Sequence, residues 1–126
     1  MKIERFEDLD CWKEARLLTK EVYKAAREGD FRRDLRLTGQ IQAAATSSMA
    51  NIAEGFVRRS DKEFIQFLFI AMASAAEIQS HLYVALDQGY IEQGVFDSLY
   101  AQAGKTARII SGLITYLRTK QPRSTK

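Results

Sequence analysis

Proline occurs once in this sequence, at Pro122, and nothing before it removes a backbone donor or forces the clash that ends a helix. A chain of 126 residues with so little to break helices is expected to be all-α, and its length fits one domain. The apolar residues bear this out in their spacing. From about Leu9 to Glu28, Trp12, Ala15, Leu18/Thr19, Val22 and Ala26 recur every three or four positions, the stripe of an amphipathic helix. Asp8 and Asp10 are candidate N-caps, and Gly29 closes the run.

A second segment, about 32–58, places Leu35, Ile41, Ala45, Met49, Ile52, Ala53 and Phe56 near one face. Its middle, AAATSSMANIA from Ala43 to Ala53, is built of small residues and implies close approach to a partner helix, with Gly55 permitting a close crossing or closing the helix. The third segment, 61–87, opens on a capping box: Ser60 can accept from the Glu63 amide while Glu63 reaches back to the Ser60 amide. It ends at Asp87-Gln88-Gly89, where glycine suits a left-handed cap. The fourth, about 92–119, carries Val95, Leu99, Ala103, Ala107, Ile110, Leu113/Ile114 and Leu117 on one side. The short connections favour antiparallel neighbours, so the expected fold is an antiparallel up-down-up-down four-helix bundle over residues 1–119. Residues 120–126, KQPRSTK, are expected to form a disordered basic tail.

The third segment has more apolar surface than a bundle core can cover. Phe64, Phe67, Leu68, Ala71, Ala75, Ile78, Leu82 and Ala85 make one stripe; Ile65, Phe69, Met72, Ala76 and Tyr83 make another beside it. A helix apolar on two sides needs two partners, and the second stripe is therefore a candidate oligomer interface.

Charge is distributed unevenly. Residues 60–97 set Lys62 against Asp61, Glu63, Glu77, Asp87, Glu92 and Asp97, whereas residues 98–126 hold Lys105, Arg108, Arg118, Lys120, Arg123 and Lys126 with no acid. Such asymmetry implies a directed contact, with a neighbouring subunit or with a polyanion. Arg32, Arg33, Arg36, Arg58, Arg59, Lys105, Arg108, Arg118 and Lys120 are the candidate phosphate contacts. In an antiparallel bundle the 29–31 and 58–60 turns lie at opposite ends, so these residues do not automatically form one patch, but repetition around a ring would multiply each cluster into a band of charge able to neutralise phosphates. No RNA-recognition, helix-turn-helix or zinc-finger signature accompanies them.

Catalytic groupings are sparse. The single histidine, His81, shares a helix face with Glu77, which is half a metal site at most. Cys11, the single cysteine, permits no internal disulfide and beside Trp12 reads as a buried structural thiol. There is no phosphate loop, CxxC pair or nucleophile elbow. The N-terminus lacks a signal-peptide core, and the strongest apolar run, Phe64 to Ala76, is short for a bilayer. These features lead to the expectation of a cytoplasmic, non-enzymatic protein with no metal, cofactor or membrane association. Asn51 and Glu54, with Ser60 and Glu63, are read as a structural polar network serving the bundle.

Several of these residues fall in a recognisable order: Phe6-x-x-Leu9-x-x-Trp12-x-x-Ala15, Val22-Tyr23, Gln40-Ile41, Asn51-Ile52-Ala53-Glu54-Gly55, then Arg59-Ser60-x-x-Glu63-Phe64-x-x-Phe67-Leu68-x-Ile70-Ala71, Ser74, Glu77 and Gly89-Tyr90. From about Phe6 to Leu117 the chain resembles the four-helix-bundle proteins encoded in 23S ribosomal RNA intervening sequences. It departs from them where a basic pair often follows Gln-Ile, here Gln42-Ala43, and where a proline often precedes the Asn, here Met49-Ala50. The resemblance implies a cytosolic bundle assembled as a homopentamer. It also implies similarity in fold to the accessory variability determinant of diversity-generating retroelements, a positively charged barrel that binds nucleic acid and a reverse transcriptase. The expected function is that of an oligomeric accessory protein binding RNA or a nucleoprotein. The alternative is a scaffold in which the basic C-terminal segment meets the acidic third segment of the same or the next subunit.

Overall fold

A computed structural model describes residues 2–120; of the basic tail expected over 120–126, Lys120 is described and the rest lies outside the described residues. Four helices form an up-down-up-down bundle: α1 (Asp10–Ala26), α2 (Leu35–Phe56), α3 (Asp61–Asp87) and α4 (Gln93–Thr119). Each packs on its sequence neighbour, and α4 closes the ring against α1. The pairing is antiparallel throughout. Ser47 of α2 meets Ser74 of α3, Gln79 of α3 meets Tyr100 of α4, and Gln102 of α4 meets Glu14 of α1.

The core has two levels. Near the α1–α2 and α3–α4 turns, Leu18, Val22, Phe31, Ile41, Ile78, Leu82, Phe96 and Leu99 pack together. Toward the α2–α3 turn, Cys11, Ile52, Phe64, Leu68, Ile110 and Ile114 do so. Cys11 is buried as expected, and burial pushes its thiol up to about 12.

The boundaries explain several departures from periodicity. Residues Gly29–Arg33 form a 3-10 turn that buries Phe31, and Asp34 caps α2 by accepting from the Leu37 amide at 3.0 Å. Helix α2 thus begins three residues later than expected, and Leu35 points outward, 78% exposed. Tyr90 stacks on Phe31 and donates to the Asp34 carboxylate at 3.0 Å, which ties the two turns of this end together. That carboxylate raises the Tyr90 phenol above its ordinary value. Gly89, at φ 74°, supplies the left-handed turn leaving α3.

At the start of α1, Leu9 occupies the cap position and neither expected aspartate caps the helix. Asp8 accepts instead from the Glu4 and Arg5 amides of a preceding 3-10 turn, Phe6–Asp8, and these donors hold its carboxyl below the usual range. In α4, Phe96 and Thr106 are buried where Val95 and Ala107 were expected to face inward. The Ser60 half of the capping box forms, with its hydroxyl accepting from the Glu63 amide at 3.2 Å.

The small residues of α2 have the expected consequence. A methyl group at Gly55 would lie 2.7 Å from Phe67 Cβ and 2.9 Å from Phe64 Cδ1, so the α2–α3 crossing requires glycine there. Helix α3 is 27 residues long, and its most apolar window reaches a mean hydropathy of 1.2, enough by length and composition to cross a bilayer. Here it packs lengthwise between α2 and α4.

Candidate interaction surface

The outward side of α3 carries four of the large apolar side chains that remain exposed. Phe69, Ile70, Ala73, Ala76, Tyr83 and Val84 are all exposed along it, with the polar Glu77 and Ser80 between Ala76 and Tyr83. Phe69, Ile70, Tyr83 and Val84 are each between 42% and 51% exposed. Each is already about half covered, so covering the remainder contributes roughly half of the ~1.5–3 kcal/mol of full burial.

This band overlaps the expected interface and shifts away from part of it. Phe69, Ala76 and Tyr83 are exposed as expected, whereas Ile65 and Met72 pack against the lower core beside Ile109 and Leu113 of α4. At about 100° per residue, Ile70 lies about 140° round the helix from Ile65, on the side α4 does not reach. Ile70 and Val84 are the residues that sequence reasoning missed. Reading the helix as a wheel gives their direction, but not how much of the wheel α4 covers.

At its upper end the band runs onto α4. Tyr83 contacts Phe96 edge-on at 4.9 Å and Tyr100 at 5.8 Å, while Phe96 and Tyr100 stack at 5.4 Å. Electrostatic repulsion from Tyr100, aided by partial desolvation, raises the Tyr83 phenol. At the lower end, Arg118 of α4 lies over the Phe69 ring at 5.3 Å.

The nine candidate phosphate contacts are spread over the molecule. Arg32, Arg33 and Arg36 lie in and just after the α1–α2 turn; Arg58, Arg59, Arg118 and Lys120 lie at the opposite end; Lys105 and Arg108 lie along α4. Four of them face carboxylates. Arg33 meets Asp30 at 3.7 Å, Arg58 meets Glu54 at 3.6 Å, Lys105 meets Glu14 at 3.5 Å and Lys120 meets Asp61 at 3.4 Å. The last two clamp α4 to α1 and to α3, and the Lys120–Asp61 pair joins the basic C-terminal segment to the acidic third helix within one chain. Arg58 also lies over the Phe67 ring at 4.6 Å.

The four residues grouped as a polar network are not one unit. Asn51 donates to the Ser47 carbonyl at 2.9 Å and to its hydroxyl at 3.0 Å, and Ser74 donates to the same hydroxyl across the α2–α3 seam. Glu54 turns outward to Arg58, while Ser60 and Glu63 form the α3 cap. The partners Ser47 and Ser74 lie 27 residues apart, a relation no local pattern discloses.

Glu77 and His81 meet at 3.3 Å on the surface of α3. Among the described residues, no group of three or more His, Cys, Asp or Glu side chains converges in a way that could hold a metal ion.

Comparison with known families gives a match between residues 7–112 and the 23S rRNA-intervening sequence proteins. The chain belongs to this family. A crystal structure of an S23 ribosomal protein family member of unknown function from Bacteroides thetaiotaomicron superposes with a TM-score of 0.75. It shares 22% identity and covers 82% of this chain and 97% of its own, so the family's bundle is common to both. A comparison with curated proteins gives no match.

Proposed function

We propose that this member of the 23S rRNA-intervening sequence family is a non-enzymatic, self-assembling bundle of the cytoplasm. Its copies join through the outward face of α3 into a homo-oligomer, a homopentamer as the family resemblance implies. The observation that supports this is the exposed apolar band from Phe69 to Val84, interrupted only by Glu77 and Ser80, on a helix already packed along its other sides. The test is molar mass by light scattering. The wild-type chain is expected to run as a multiple of 14.3 kDa, and the Ile70→Lys/Val84→Lys pair as a monomer with unchanged helical circular dichroism. A wild-type monomer at tens of micromolar would overturn the reading.

Contact with RNA or a nucleoprotein is a second reading, favoured by a separate observation. Arg32, Arg36, Arg59 and Arg108 are exposed and make no ion pair with an acid among the described residues. On one chain they are scattered, and only a ring of copies would repeat them into bands. Titration of the oligomer against a labelled structured RNA should then give an affinity that falls steeply with salt and weakens in Arg32→Ala/Arg36→Ala. No binding by an intact oligomer leaves the assembling scaffold as the function.

A further inference from the structure

Two copies could join α3 to α3, or α3 to a different face, and Glu77 separates the two arrangements. In a symmetric α3–α3 pair running antiparallel, the twofold axis falls at the middle of the band, beside Glu77. In a parallel pair every residue meets its own counterpart. Either way Glu77 faces a second Glu77 in a covered contact, and like charges so placed oppose association. A face of different character suits the band better.

Helix α2 presents one. Near its ends stand Leu35 and Val57, the two most exposed large apolar side chains among the described residues. Besides Arg36, the exposed positions between them are Gly39, Gln40, Ala43, Thr46, Ala50 and Glu54, and Glu54 already faces Arg58. A methyl group at Gly39 would meet nothing in its own chain, so this helix-weakening glycine answers no packing need there. A surface of such short side chains admits bulky ones from a partner.

Charge and height set the register. Arg36 lies in the first turn of α2, where backbone N–H groups point outward, and Asp87 closes α3, where carbonyls do. Each charge thus stands among partial charges of its own sign. Both residues are exposed, and neither makes an ion pair among the described residues. Within one chain Ser47 of α2 is level with Ser74 of α3. Copies related by rotation about an axis along the bundle keep the same height, so the same levels hold between α3 of one and α2 of the next. Arg36 is then level with Ala85, two residues or about 3 Å from Asp87. Within the same tolerance Ile70 faces Ala50, Val84 faces Gly39, and Glu77 faces the uncharged Ala43 and Thr46.

We propose that the outward face of α3 packs antiparallel on the outward face of α2 of the next copy, with Asp87 meeting that copy's Arg36. The inference rests on the assembly reading and deepens it by naming the face that receives α3. Adjacent helices of a four-helix bundle face outward about 90° apart, so each copy turns relative to the last and copies at one height close into a small ring. Arg36 is engaged in that contact, while Arg32, Arg59 and Arg108 stay exposed for a polyanion.

The test uses full-length chains carrying Ala43→Cys or Ser80→Cys, one of them tagged to separate the products by mass. The two are mixed, reassembled and oxidised with copper–phenanthroline; Cys11 is buried. A disulfide-linked heterodimer is expected, with little homodimer from either chain alone. Its yield should fall about tenfold when Arg36→Glu is added to the Ala43→Cys chain, and should recover when Asp87→Arg is added to the Ser80→Cys chain. A yield indifferent to Arg36→Glu overturns the proposal. So does preferential linkage of Ala73→Cys to Ser80→Cys, the pair that a symmetric antiparallel α3–α3 contact would bring together, and the assembly reading then stands. If neither pair links but light scattering shows an oligomer, the α2–α3 contact falls and assembly again stands. If neither links and the protein runs as a monomer, both fall.

Discussion

The α2–α3 seam and the α1–α4 seam join helices of similar pitch by opposite means. Across the first, Gly55 and Ser74 are buried, Ser74 bonds the Ser47 hydroxyl, and the backbones approach until a single methyl group would collide with Phe67. Across the second, Glu14 reaches Lys105 and Gln102 with long side chains, and open space remains above and below that bridge. The groove ringed by Glu21, Glu28 and Glu92 lies toward one end, and a smaller one beside Cys11, Ile109 and Leu113 toward the other. The size of the side chains at a crossing sets helix separation. A seam of small residues leaves no space for a partner, whereas one spanned by long polar side chains does.

Four measurements would break or sharpen that contrast. The largest effect is expected at the tight seam. Gly55→Val should cost about 1–3 kcal/mol in denaturant unfolding by overpacking, whereas Gly112→Ala, where an added methyl meets open space, should gain up to about 1 kcal/mol from helix propensity. Equal responses at the two glycines would remove the steric account of the seam. Next, Ser47→Ala withdraws the hydroxyl shared by Asn51 and Ser74 and should lower stability by about 1 kcal/mol, read from the same unfolding curves. At the open seam, Glu14→Ala should cost about 0.5–1 kcal/mol, because Lys105 is well exposed and solvent screens the pair. A loss above that of Gly55→Val would reverse the ranking of the seams.

The smallest effect concerns the turn preceding α1. The folded-state carboxyl of Asp8 is held low by backbone donors, so its contribution is present above the ordinary value of 3.8 and is lost as pH falls through the folded value. Acid unfolding of Asp8→Asn should therefore show less loss of stability below pH 3.8 than wild type, with no difference at neutral pH beyond the missing bonds. The buried thiol offers a check on the lower core as a whole: at pH 8, alkylation of Cys11 should wait on unfolding.

Much of this architecture was legible in the residue order, and the reason is that helices report locally. Stripes at three- and four-residue spacing, the Ser60 cap and the Gly89 turn each depend on neighbours within one or two turns of helix. What escaped depends on distance along the chain. Asp34 as a cap follows from the turn that buries Phe31 under Tyr90, a stack joining residues on different turns of the bundle. The shift of the α3 band from Ile65 and Met72 toward Ile70 and Val84 depends on where α4 lies. The basic residues were visible as charges, but their division into four that face carboxylates and others that face none among the described residues depends on three-dimensional pairing. The groove left no trace in any stripe, because Val95 read as core and is 42% exposed.

The alternation of helix direction carries a further consequence. Each peptide dipole adds along a helix to leave partial positive charge at its N-terminal pole and negative at its C-terminal pole. With four helices alternating, each end of the bundle presents two poles of each sign around a square, and their far fields largely cancel. The backbone is thus electrically quiet at a distance, and the field an approaching molecule meets is written by side chains alone. Exposed charges can therefore be exchanged, and the choice of partner altered, while the helices that carry them stay as they are.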